Sequence, residues 1–159
     1  MSTNKVPLTI EGKKKIQEEL FDLKNNQRAK VIEDIAIARD FGDLSENAEY
    51  KAAREKQSFI EGRIIYLSDI ISRAEVIDTS KFNDDRVRFG ATVSIFDEDT
   101  EKEHKWQIVG LLEADIEKNK ISYTAPIAKA LIGKKVGDVV NVKTPKESKI
   151  YEIINVDYV

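Results

Sequence analysis

The chain contains no cysteine, which removes disulfides, thiolate nucleophiles and zinc-thiolate centres from consideration. No apolar run approaches the roughly 18 to 20 residues that a membrane span requires, and the first residues lead into no apolar stretch of signal length. A soluble, cytoplasmic protein without a membrane partner is therefore expected. Neither sign of charge dominates: 26 basic and 29 acidic residues leave a net charge of -3, which argues against a dedicated duplex-DNA binder, since phosphate neutralisation needs a basic excess. The single histidine, His104, has no catalytic partner nearby in sequence and reads as structural or surface. The 7 glycines form no phosphate-binding loop, because Gly133-Lys134-Lys135-Val136-Gly137 follows a helical stretch rather than a strand. There is no internal repeat and no low-complexity segment.

What is present is a change of periodicity half-way along 159 residues. Thr9 is a plausible N-cap, with Glu11 near the positive end of the following helix dipole. Gly12 stands where a capping box would carry Glu or Gln. Ile16, Leu20, Leu23, Gln27, Val31, Ile35 and Ala38 then recur every three or four residues, a helical seam with one extra four-residue step of the stutter type. No proline interrupts Thr9 to Phe41, so the spacing predicts one helix of about thirty residues, roughly 45 Å long. A second pattern runs from Leu44 to Val76, and its predicted seam is Ala48, Ala52, Glu55, Phe59, Gly62 or Arg63, Tyr66, Ile70 and Ala74. Two such helices joined by a short connection must be antiparallel. Residues 1–76 are read as this arm.

From residue 80 to residue 159 the pattern is that of a small globule. Val87 to Phe96 reads as a strand bent at Gly90, followed by an acidic turn, Asp97-Glu98-Asp99-Thr100, and a hairpin partner, Lys105 to Gly110. Lys120 to Tyr123, Val139 to Val142 and Ile150 to Val156 add strands, and Pro126 to Ile132 reads as one short helix closed by Gly133. The expected class is α+β: a helical hairpin followed by a small antiparallel sheet with one helix on it. Trp106, Phe89 and Tyr123 are read as core.

The junction of the two helices carries the candidate chemistry. Gly42 suits a left-handed helix stop, and Asp43 with Glu46 three residues on has capping-box spacing, so a capped turn accounts for both carboxylates. Yet residues 33 to 50 hold six acidic residues, Glu33, Asp34, Asp40, Asp43, Glu46 and Glu49, against one basic residue, Arg39. That concentration is more than a turn needs, and a cation or a cationic partner would relieve it. Two carboxylates three residues apart share a helical face and can offer oxygens to Mg²⁺, with a partner completing the shell. Just beyond, Lys51 and Arg54 share a face and could grip phosphates; an i,i+4 pair of Lys51 with Glu55 is the simpler alternative.

These residues resemble a known family. Gly42-Asp43-Leu44-Ser45-Glu46-Asn47-Ala48-Glu49-Tyr50-Lys51-Ala52-Ala53-Arg54-Glu55 is similar to the signature of the Gre family of bacterial transcript cleavage factors of RNA polymerase. The likeness extends through Leu8-Thr9, Gly12, Glu19-Leu20, Leu23-Lys24, Arg28, Ala38-Arg39 and Arg63-Ile64. It resumes at Ile121-Ser122, Pro126 to Asp138 and Thr144-Pro145.

The resemblance implies a coiled-coil finger and a globule similar to the FK506-binding fold, the globule docking on the polymerase and the finger entering its secondary channel. There Asp43 and Glu46 would help hold a second Mg²⁺ and an attacking water in the polymerase's own active site, where backtracked RNA is cut. Lys51 and Arg54 would face the nascent RNA 3′ segment. Such a protein is not itself an enzyme, carries no cofactor of its own and is expected to be a monomer when free. Departures from the family pattern are Ala29, where many relatives place proline, and Lys146-Glu147-Ser148 in place of a glycine-containing turn. The tip lacks the extra acidic residues of inhibitory relatives, and the modest basic patch fits the less basic branch of the family. Two other classes stay open on the residues alone: a structural coiled-coil adaptor, and a peptidyl-prolyl isomerase, for which the sparse aromatics offer no pocket.

Overall fold

A computed structural model describes residues 4–43 and 47–158. By its internal contacts the chain divides into two compact units, one built mainly from Lys13–Ala74 and the other from Lys5–Gly12 with Glu75–Val159.

The first unit is an antiparallel helix pair. Helix α1 (Ile10–Asp22) passes through a π-helical turn at Leu23–Gln27 into α2 (Arg28–Arg39), and α3 (Ala48–Ser72) returns. The π turn falls where the seam residues Leu23, Gln27, Val31 and Ile35 are spaced by four. In it the Arg28 N–H reaches back to the Leu23 carbonyl, a five-residue step, which takes in one residue more than an α turn and keeps four-residue spacings on one line. Asp22 fastens the turn by accepting from Asn26 Nδ2 at 2.8 Å and Gln27 Nε2 at 2.6 Å. These two bonds, that from Asn26 first, hold its carboxyl below the ordinary value despite partial burial. The predicted first helix is therefore helical throughout, with the stutter written as a π turn.

Ile16, Leu23, Val31, Ile35 and Ala38 are buried along this path. Opposite them α3 buries Ile60, Ile64, Leu67 and Ile70. The seam expected on α3 is thus corrected in part: Phe59 is 71% and Tyr66 41% exposed, and the buried line runs one residue later through Ile60, Ile64 and Leu67 before meeting the expected Ile70. Tyr66 instead lies under the Arg63 guanidinium, 5.7 Å from its ring centroid. Two bidentate ion pairs cross the helices, Arg28 to Glu61 at 2.7 and 2.8 Å and Arg63 to Glu19 at 2.8 and 3.2 Å. Both are half-exposed, so they fix alignment more than they add stability.

The second unit holds two sheets. Strands β1 (Val6–Leu8) and β2 (Ala74–Val76) form a two-stranded sheet, and β3 (Thr92–Asp97), β4 (Lys102–Val109), β5 (Lys120–Ser122), β6 (Val139–Lys143) and β7 (Ser148–Asp157) form a five-stranded one in the order β5-β4-β3-β7-β6. The sheet is mixed rather than wholly antiparallel, because β5 joins β4 in parallel, Ile108 opposite Ile121. The connecting residues 110–119 make the crossover that parallel pairing requires.

Helix α4 (Pro126–Leu131) starts with proline at a first-turn position and lays Ala128 and Leu131 against Val93, Ile95, Ile108 and Ile153 to form the core. Trp106 and Tyr123 pack on its margin, and Phe89 meets Tyr123 edge-on. The strand expected from Val87 begins only at Thr92. Gly90 there has φ +89°, and a Cβ on it would meet Thr79 Cγ2 at 2.4 Å; its N–H still donates to the Ile108 carbonyl at 2.8 Å, so the chain turns at this glycine before the regular strand begins.

Asp97, 1% exposed at the end of β3, accepts from the Asp99 and Thr100 N–H groups at 2.9 and 3.3 Å and from Lys149 Nζ at 3.4 Å. Burial pushes its carboxyl up, but the two N–H donors and the ammonium outweigh burial and hold it below the ordinary value. Three donors satisfy this buried charge, which is what makes its burial tolerable.

Candidate functional site

The far end of the helix pair is built by two different stops. The last turn of α2 tightens: Asp40 N–H donates to the Ile37 carbonyl and Phe41 N–H to the Ala38 carbonyl, both at 3.1 Å. Gly42 then takes φ +104°. A Cβ at Gly42 would touch nothing within 4 Å, so conformation and not space calls for glycine there, the left-handed stop expected from the sequence.

The start of α3 differs from expectation. Its N-cap is Asn47, whose side chain accepts from the Tyr50 N–H at 3.0 Å, and not Asp43. The same amide donates through Nδ2 to the Ala38 carbonyl at 2.6 Å, so one side chain caps α3 and ties it to the end of α2. Asn47 was missed because Asp43 and Glu46 offered a capping-box pattern first. The signal was present all the same, since Asn is among the strongest N-caps.

Of the predicted site residues, Asp43 is exposed, between Gly42 and the α3 cap. Glu46 lies outside the described residues. Lys51 and Arg54 are exposed on one face of the first two turns of α3, and neither enters an ion pair among the described residues, so the Lys51–Glu55 alternative is not formed. Arg39, the basic residue within the acidic stretch, rests 5.9 Å from the Tyr50 ring centroid.

Among the described residues no three His, Cys, Asp or Glu side chains gather as a metal site. Two shallow concavities flank the tip. One, of about 380 Å³, is lined by Phe41, Asp43, Asn47, Ala48 and Glu49. The other, of about 460 Å³, lies between Ile37 and Phe41 on one side and Ala52 and Ala53 on the other. His104 is exposed on β4. No described helix is long and apolar enough to cross a membrane.

Both parts of the chain have counterparts among known proteins. Residues 6–76 match the family model for the N-terminal domain of transcription elongation factors, and residues 82–158 match the model for the C-terminal domain of GreA/GreB. The chain belongs to the GreA/GreB family of transcription elongation factors. Similar family members include transcription elongation factor GreA of Rickettsia prowazekii, 58% identical over 154 residues covering 97% of this chain and 95% of that protein. GreA of Rhodospirillum rubrum is also 58% identical, over 97% of this chain and 98% of that one. Among solved structures, GreA factor homolog 1 of Thermus thermophilus is 26% identical over 97% of this chain and 99% of that one, with a TM-score of 0.45. GreA/GreB from Nitrosomonas europaea is 22% identical over 97% and 100%, with a TM-score of 0.43.

Proposed function

We propose that this member of the GreA/GreB family acts on bacterial RNA polymerase, the finger entering the secondary channel so that its tip promotes cleavage of backtracked nascent RNA. The chain is then an activator of another protein's endonuclease and not an enzyme itself. The observation that carries this reading is the placement of Asp43: exposed at the end of the hairpin, next to a glycine stop, with the capping of α3 assigned to Asn47. An exposed carboxylate at the turn of the hairpin is where oxygens offered to a partner's cation would have to stand.

The donor chemistry suits a hard cation, since Mg²⁺ prefers carboxylate oxygens and accepts one or two of them alongside other ligands. Asp43, with Glu46, would supply those oxygens to an ion held in the polymerase. When bound, the ion lowers the pKa of a coordinated water and stabilises charge on the reacting phosphate. The chain's own part is positional. Asn47 locks the two helix ends together, Gly42 turns the backbone, and the acidic stretch concentrates negative charge where a cation is to be held. Lys51 and Arg54, exposed and in no ion pair among the described residues, would contact phosphates of the extruded RNA 3′ segment. The globule would dock on the polymerase surface, and the factor would act as a monomer.

Asp43→Asn is the test. Asparagine keeps an acceptor at that position, and the α3 cap is elsewhere, so melting temperature should stay within about a degree of wild type, as for an exposed substitution. Cleavage by a halted elongation complex at saturating factor should fall by roughly 100-fold or more, which corresponds to the several kcal/mol that metal charge stabilisation supplies. Full cleavage activity in Asp43→Asn would defeat the mechanism.

A further inference from the structure

The end of the finger carries an apolar surface that the carboxylate chemistry does not use. Phe41 is 67% and Ile37 50% exposed, and both border the groove of about 460 Å³. The groove exists because α3 presents Ala52 and Ala53 here, whereas lower down Ile60, Ile64 and Leu67 fill the seam. Single exposed apolar residues are ordinary, but an aromatic and an aliphatic side chain one turn apart over a concavity form a patch of the kind that marks a contact surface. Neither contributes much to the fold from such exposed positions.

The rim decides the occupant. Asp34 and Glu49 flank the groove against one cation, Lys56, among its described lining residues, so phosphate is repelled and a cationic group is attracted. The groove and the concavity at Asp43 share Phe41 and Glu49, so whatever surrounds the tip meets the groove too. We infer that the groove seats a protein segment of the polymerase that presents an aliphatic or aromatic side chain beside a Lys or Arg, and that this contact holds the tip in register. The inference rests on the polymerase reading above. It assigns Ile37 and Phe41 to affinity and Asp43 to the reaction.

The two roles separate in a titration of cleavage against factor concentration. Ile37→Ser, in the groove but not in the concavity at Asp43, should raise the half-maximal concentration about five- to twentyfold, the range of an interface anchor. Its saturating rate should stay within about twofold, the pattern of lost uniform binding. Ile37→Val should restore most of the affinity. Circular dichroism should show an unchanged melt, since the side chain is half-exposed. Because the chain has no cysteine, Ala52→Cys takes a single maleimide photocrosslinker, which should label a polymerase subunit in the halted complex.

If wild type itself fails to stimulate cleavage, the polymerase reading falls. If wild type stimulates but Ile37→Ser titrates like it, or the crosslink goes to RNA, the groove inference alone is overturned.

Discussion

Glu113 completes, across 104 residues of sequence, the helix cap that Thr9 begins. Thr9 Oγ1 accepts from the Gly12 N–H at 2.9 Å, and the Glu113 carboxylate accepts from the Thr9 N–H at 3.2 Å. In a capping box the second bond comes from a Glu three residues into the helix; here that position is Gly12, and a distant Glu takes the role. The glycine is what admits it, since a Cβ on Gly12 would lie 2.1 Å from Glu113 Cδ. The same carboxylate also accepts from the Thr9 hydroxyl and, at 3.0 Å, from the Gly110 N–H.

This arrangement predicts strong coupling. Thr9→Ala removes the cap and should cost about 1 to 2 kcal/mol. Glu113→Ala strands two N–H groups in a half-buried setting and should cost about 1 to 3 kcal/mol. The double variant should cost less than the sum by at least about 0.5 kcal/mol, because both changes break one network. Urea denaturation of the four proteins measures the cycle, and strict additivity would contradict a shared cap.

Asn47 can be dissected in the same way, because its side chain does two things. Asn47→Ala removes both and should destabilise the finger by about 1 kcal/mol or more. Asn47→Asp keeps the acceptor for Tyr50 but loses the donor to the Ala38 carbonyl, leaving α3 capped and the tie to α2 broken. If the tie is what steadies Asp43, Asn47→Asp should lower cleavage stimulation while retaining most of the helicity measured by circular dichroism. Equal activity of Asn47→Asp and wild type would show that the tip needs only the cap.

Much of this was legible in the sequence, and the failures have physical causes. The α1–α2 seam was readable because Ile16, Leu23, Val31, Ile35 and Ala38 keep helical spacing, while the exposed Phe21, Ile32 and Ile37 are too widely spaced to form a rival line. The α3 seam was not: Phe59 and Tyr66 carry large rings that compete with Ile60 and Leu67 for the core, and periodicity alone cannot choose between adjacent lines one residue apart. Asn47 was hidden behind Asp43 and Glu46, which satisfy the same capping rule four residues earlier. Strands β1 and β2 are three residues each, too short for alternation to register. The parallel placement of β5 depends on tertiary contacts that no local pattern encodes. Glu113 could not be found at all, because a cap completed from so far away leaves only a glycine where the expected Glu is absent.

Acid should weaken the globule through Asp97. Its carboxyl is held below the ordinary 3.8, so the folded state binds its proton less readily than the unfolded chain. The stability it lends is present above pH 3.8 and is lost as pH falls from there through the lower folded value. Asp97→Asn should therefore be less stable than wild type at neutral pH, and the two melting temperatures should converge as pH drops below about 4. A gap that stayed constant across that range would mean that Asp97 acts through shape and not through charge.

The register of α3 gives the most direct check of the finger itself. Ile60 is 1% exposed and Phe59, its neighbour, 71%. Ile60→Ala deletes buried methyl groups opposite α1 and α2 and should cost about 2 to 5 kcal/mol, the transfer term together with the cavity left behind. Phe59→Ala removes a larger side chain yet should change stability by about 0.5 kcal/mol or less, because most of its surface is already in water. A seam through Phe59 and Tyr66 predicts the reverse order. The comparison is insensitive to the absolute stability of the protein, since both substitutions lie on the same turn of the same helix and differ in helix propensity by little. Thermal melts of the two variants side by side thus decide which line of α3 faces its partner.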